Sequence, residues 1–277
     1  MRTPGDFFLR SIVSPLALAA LFLAAPTGCR SRGANPGSVL LPVVADAGGA
    51  LGRHWKTALT FSACPADSVS ELDLTFWDRE GAPHRTRTVL APGGGLRIDD
   101  LFAFLRGSIQ PPLPDGALIG PLAVRATRGK LPLIRVEIYG VEPTSGGRLG
   151  QSYDSESLHR AAESESRTLA IAGLPTQTDF RSNLGVINPG DKPIEVEIRL
   201  YDLESGAVIG DSTRLKIEPH RTAPLSNSTK TLHAPAESRS VTARIHATDD
   251  SSDFLAYGSV VDSRTEGPVF VAASPVR

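Results

Sequence analysis

The sequence predicts an all-β protein: two tandem β-sandwich domains that follow a signal peptide and a short tether. Three observations carry this. One pattern is written twice, because WKTALTFSACPADSVSELDLTFWDREG from Trp55 to Gly81 returns as FRSNLGVINPGDKPIEVEIRLYDLESG from Phe180 to Gly206. A repeat of that length marks two copies of one domain rather than a single large catalytic body. Both copies alternate apolar and polar residues between regularly spaced turn signals, as half-buried strands do. The 277 residues, less a leader, leave roughly 120 per copy, within the common domain range of about 100–150. Pro65 and Pro189 lie 124 apart, Gly81 and Gly206 125, Pro92 and Pro219 127, and Tyr139 and Tyr257 118. The drop from 127 to 118 predicts nine surplus residues in the first copy.

Residues 1–28 read as a signal peptide. Arg2 and Arg10 make a charged start, and the apolar run from Ile12 to Pro26 is shorter than the ~20 residues of a membrane span. Cys29 follows Gly28 just past this run, which resembles the lipobox of bacterial lipoproteins and implies acylation of Cys29. Pro26 stands where that motif prefers Leu, Val or Ile, and cleavage by ordinary signal peptidase is the alternative. Both readings place the mature chain outside the cytoplasm. It is an outer-membrane or cell-surface lipoprotein under the first, and periplasmic or secreted under the second. Residues 29–36 are then a flexible tether. Cys64 sits beside Pro65 where the second copy has Asn188 and Pro189, so it reads as a small turn residue with no neighbouring base to activate it.

The first sandwich spans 37–153. It opens with a strand over Leu40–Ala45, and Leu72, Leu74 and Phe76 alternate toward Trp77-Asp78 and a turn at Gly81. Thr88 and Leu90 precede Pro92, and Gly93–Gly95 is a turn rather than a phosphate cradle, since no helix start or Lys follows it. In LRIDDLFAFLRG, Asp99 is expected to cap a short helix over Leu101–Leu105. The surplus lies between Phe102 and Gly120, where Pro111, Pro112 and Pro114 rule out a central strand and predict an exposed loop with Asp115. Leu122–Thr127, a turn at Gly129 and Leu133–Val141 close the copy. Residues 154–167, DSESLHRAAESESR, form a charged linker without apolar period. The second sandwich, 168–277, repeats the order. Thr168–Leu174 opens it, Ile194, Val196, Ile198 and Leu200 alternate up to Tyr201-Asp202, Leu215 and Ile217 precede Pro219, and Val241–Ile245 leads to Phe254–Val261.

The segments FRSNLGVINPG, VEIRLYD and YGSVVDSRTEGPVF resemble the tandem immunoglobulin-like β-sandwich repeats of secreted bacterial surface proteins, a group of unassigned activity. The resemblance spans most of the mature chain and implies an extracellular immunoglobulin-like fold without catalytic residues to carry over. It is weaker in the first copy, where Cys64 replaces the Asn and YGVEPTSGGRLGQ departs from the closing segment.

Chemistry is sparse. The 29 basic and 30 acidic residues balance to a net charge of −1 with no basic block, which argues against nucleic acid. Nucleophile elbow, P-loop and HExxH are all missing, and the six histidines, at 54, 84, 159, 220, 233 and 246, are expected on exposed strands or loops. Asp249, Asp250 and Asp253 are a weak calcium candidate without the EF-hand glycine and terminal Glu, and read better as a polar turn. Asp262, Arg264 and Thr265 read as an Asx-type turn with a structural salt bridge. The expectation is a non-enzymatic, monomeric envelope module without cofactor, held at the membrane only by its lipid and contacting another protein through the loop Pro111, Pro112, Pro114 and Asp115. The alternatives are a carbohydrate-binding module, for which Trp55, Trp77 and Phe180 are the aromatic candidates, and a two-domain periplasmic chaperone, which requires basic residues in the interdomain cleft.

Overall fold

In the computed structural model, residues 37–49, 52–63, 69–142, 144–155, 168–249 and 253–276 are described, and they are built mainly from antiparallel strands. The signal peptide, the tether with Cys29, Cys64, Asp250 and most of the linker lie outside the described residues. The first half contains β1 Ser38–Gly48, β2 His54–Ser62, β3 Ser70–Trp77, β4 Pro83–Leu90, β5 Gly95–Ile98, α1 Leu101–Arg106, β6 Leu118–Arg128, β7 Leu133–Val141 and β8 Arg148–Asp154. The second contains β9 Thr168–Pro175, β10 Phe180–Ile187, β11 Ile194–Asp202, β12 Val208–Ile217, β13 Thr222–Leu225, α2 Ser228–Thr231, β14 Ser240–Ala247, β15 Leu255–Asp262, β16 Pro268–Ala272 and β17 Ser274–Pro275.

The two halves share one strand order. In the first, β4-β3-β6-β1 continues through β2 into β7 and β8, with β5 on the other side of β2. In the second, the corresponding runs are β12-β11-β14-β9, extended by β17, and β13-β10-β15-β16. The first half is continuous because β1 pairs with β6 as far as Asp46 and then with β2 at Ala47 and Gly48.

Alternation determines which face each strand buries. Along β3, Leu72, Leu74 and Phe76 are buried while Glu71, Asp73 and Thr75 are not, and β11 does the same with Ile194, Val196, Ile198 and Leu200. These faces meet those of the partner runs in two clusters, one including Leu41, Phe61, Phe76, Phe102 and Ile134, the other Ile171, Val186, Val196, Leu200 and Ile245. Each fully buried side chain of this size contributes about 1.5–3 kcal/mol relative to exposure.

The register revises two expectations. Arg181 faces Val261, as Lys56 faces Tyr139, whereas Tyr257 faces Gly185. Tyr139 and Tyr257 are therefore not counterparts. The connection from β5 to β6 has 19 residues, 99–117, and that from β13 to β14 has 14, 226–239, so the first half is longer by five there, not nine. The two tyrosines agree in residue type alone: Tyr257 packs toward the junction of the halves, whereas Tyr139 meets Asp99 and Arg148 of its own half.

Candidate functional site

The proline-rich segment leaves the C-terminus of α1. Leu101, Phe102 and Leu105 of this helix are buried, and the Phe102 ring meets Phe76 edge-on at 5.1 Å. The N-cap is Asp100, not the expected Asp99. Its carboxylate accepts the Ala103 N–H at 3.0 Å, because a cap must precede the first helical residue and reach the third. Asp99 instead pairs with Arg97 at 2.7 Å.

Beyond the helix, Ile109 is buried and Leu113 packs against the first core, while Pro111, Pro112, Pro114 and Asp115 are exposed. The segment runs along the outer edge of β4. Arg85 and Gln110 exchange backbone hydrogen bonds, both at 3.0 Å, and Thr86 Oγ1 donates to Ser108 Oγ at 3.0 Å. A free strand edge is thereby covered. The anticipated loop is exposed as expected, and it is fastened at three successive β4 residues, 84, 85 and 86.

The third fastening is His84, which corrects the expectation of exposed histidines: it is only 3% exposed. Its Nδ1 lies 3.0 Å from the Pro111 carbonyl and its Nε2 3.1 Å from Asp78 Oδ2. Asp78 directly follows β3 and turns the chain, its Oδ1 accepting the N–H groups of Glu80 and Ala82. Burial pushes the Asp78 carboxyl up, but the His84 hydrogen bond and those two N–H groups together hold it below the usual carboxylate range. Asp202 and Asp262 build related turns in the second half. Among the described residues no histidine hydrogen-bonds to Asp202: β12 places Ile209 opposite Leu200, where β4 places His84 opposite Phe76.

A second polar cluster lies at the start of β2. Buried Asp46 binds His54 and, at 3.0 Å, Arg106, while Lys56 pairs with Asp100 at 2.6 Å. That hydrogen bond and its charge raise the Lys56 ammonium and, against burial, lower Asp100. Among the described residues the only hydroxyl bonded to a histidine is Thr168 Oγ1, on His246; His54, His84, His220 and His233 pair with aspartates. The described hydrogen bonds thus assemble no Ser-His-Asp relay.

The halves meet through side chains no local pattern reveals. Trp77 stacks on His220 at 4.8 Å and a tilt of 17°, and Arg221 pairs with Glu80 at 3.6 Å. Asn188, Pro189, Leu40 and Trp77 line a cleft of about 180 Å³ there. At the other end, Phe270 stacks between Tyr153 at 4.4 Å and Tyr257 at 5.6 Å, and buried Arg53 donates to the Thr265 carbonyl at 3.0 Å. Burial pushes the Tyr153 phenol well above its usual range and that of Tyr257 up to about 12.

Of the calcium candidates, Asp249 and Asp253 are described and Asp250 is not. Among the described residues no group of three or more His, Cys, Asp or Glu side chains is placed to hold a metal ion, and no helix is long and apolar enough to cross a membrane. The Asx turn at Asp262 is formed, its Oδ1 accepting the Arg264 and Thr265 N–H groups, and the salt bridge runs from Arg264 to Asp179. No protein-family model matches the chain, and no curated protein matches it either.

Proposed function

We propose that this chain is a non-enzymatic, extracytoplasmic module of two immunoglobulin-like sandwich domains, exported by residues 1–28 and anchored through a lipid on Cys29. It acts by protein–protein contact through the segment Pro111–Asp115. One observation supports this reading above the others: an exposed, proline-rich segment, longer than its second-half counterpart, is fastened along β4 at His84, Arg85 and Thr86. Such a segment has little freedom left to lose on binding, which favours recognition by a partner protein. Two of the three aromatic candidates for sugar stacking are otherwise engaged, since Trp55 packs on the first core and Trp77 stacks against His220.

The test is a photo-crosslinking residue at Pro112 in the native envelope, with one at exposed Val208 as control. A defined adduct at Pro112 that is missing at Val208 is expected. Identical adducts at both positions, or none at Pro112, overturn the reading. Labelled palmitate is expected on the wild-type chain and not on Cys29→Ala.

A further inference from the structure

We propose that His84 is a protonation-dependent latch: with both ring nitrogens protonated it holds the segment 107–117 against β4, and on losing one proton it lets go of Pro111. The inference goes beyond the function proposed above and holds whether or not the segment binds a partner.

The geometry permits one form of the ring. A backbone carbonyl only accepts, so Nδ1, 3.0 Å from the Pro111 oxygen, must carry a proton. Asp78 Oδ2 sits 3.1 Å from Nε2, and Oδ1 of the same group takes two backbone N–H groups at 2.9 Å, the pattern of an ionised, acceptor-only carboxylate. A neutral imidazole has one N–H and one lone pair, so in this buried site it leaves a lone pair aimed at an acceptor. Only the imidazolium satisfies both.

The charged and aromatic groups around the ring come from three elements. Asp78 directly after β3 supplies the anion, and Phe76 of β3 brings a ring at 6.1 Å. The loop brings the Pro111 carbonyl, and Arg85 beside His84 on β4 engages the loop through its backbone. Glu80, in the same turn as Asp78, is directed to Arg221 instead. When the ring is neutral, its single N–H stays with the carboxylate, because a charge-assisted hydrogen bond outcompetes one to a carbonyl. The bond that is lost is therefore the one to the loop. In the second half Ile209 takes the place of His84 and the connection is shorter, so latch and long loop occur together.

The test is nitrogen-detected NMR of the imidazoles and amide hydrogen exchange on the full chain across roughly pH 5 to 9, which brackets the range in which imidazoles change charge. At the acid end His84 is expected to show two protonated nitrogens. As pH rises it keeps only the Nε2 proton, and Gln110 N–H protection, corrected for intrinsic exchange, falls about tenfold or more with the same midpoint. The Gly206 amide of the second half is expected to show no such step. In Asp78→Asn the carboxamide keeps an oxygen for the turn and presents an N–H to Nε2. The neutral ring then keeps Nδ1–H on Pro111, and Gln110 protection is expected to stay high at all pH values. The proposal is overturned by a single ring proton throughout, by Gln110 protection that ignores the His84 titration, or by Asp78→Asn behaving as wild type.

Discussion

Phe102→Ala probes how the first core is closed. The side chain is fully buried on α1 and meets Phe76, also fully buried, edge-on with ring centroids 5.1 Å apart. Truncating a buried Phe costs about 3–5 kcal/mol through lost transfer energy and the cavity left behind. An edge-to-face pair contributes about 0.5–1.5 kcal/mol of that. Phe76→Ala should cost a similar amount, and the double variant should fall short of the sum by about the pair contribution. Urea unfolding followed by tryptophan emission is the appropriate assay, because the only tryptophans, Trp55 and Trp77, both lie in the first half. Far-UV circular dichroism follows the strands of both halves at once. A loss of at least ~3 kcal/mol in the tryptophan-detected transition is expected. A loss under ~1 kcal/mol, or strictly additive costs, would refute the packing of α1 on β3.

Four further outcomes follow. Asp100→Ala removes the α1 cap and the Lys56 partner together, and a cap alone is worth about 0.5–2 kcal/mol, so the tryptophan-detected midpoint should drop accordingly. Asp78 and Asp100 have carboxyls held below their unfolded values, so their stabilisation is present above the ordinary carboxylate pKa of about 4 and is lost as pH falls through the lower folded values. Acid titration of the first half should therefore become shallower in Asp100→Asn. Tyr257, raised to about 12, behaves in the opposite sense: its contribution is complete below the unfolded phenol value of about 10 and vanishes as pH climbs past 12. Phenolate absorbance should show this group ionising together with alkaline unfolding. Gly185→Ala places a Cβ into the Tyr257 ring, and overpacking of this kind costs about 1–3 kcal/mol, measurable in the circular-dichroism melt.

Much of the fold could be read from local pattern because strand burial has a period of two. Ile194 to Leu200 and Leu72 to Phe76 declare their buried faces without help from distant residues. The Asp-to-Gly turns after Trp77 and Tyr201 were equally legible, since an Asx oxygen and a glycine at positive φ serve neighbours only a few residues away. What failed was long-range. His84, set among polar residues in APHRTRT, reads as exposed, yet it is buried and its ring meets the Pro111 carbonyl from 27 residues later. Trp77 gives no hint of His220, 143 positions on, because that contact depends on how the halves meet. The prolines of the loop declare it in the sequence, but its fastening has no such mark, because backbone pairing of Arg85 with Gln110 leaves no trace in residue type.

The most direct measurement of whether Pro111–Asp115 is the working surface is partner capture by a chain carrying Pro112→Ser, Pro114→Ser and Asp115→Ser, with Pro111 and its carbonyl anchor kept. All three substituted side chains are exposed, so the urea midpoint should stay within about 0.5 kcal/mol of wild type. The partner crosslinked at Pro112 in wild type is then expected to be lost from native co-purification. A folded triple variant that retains that partner at wild-type yield would contradict the assignment of this loop as the contact surface.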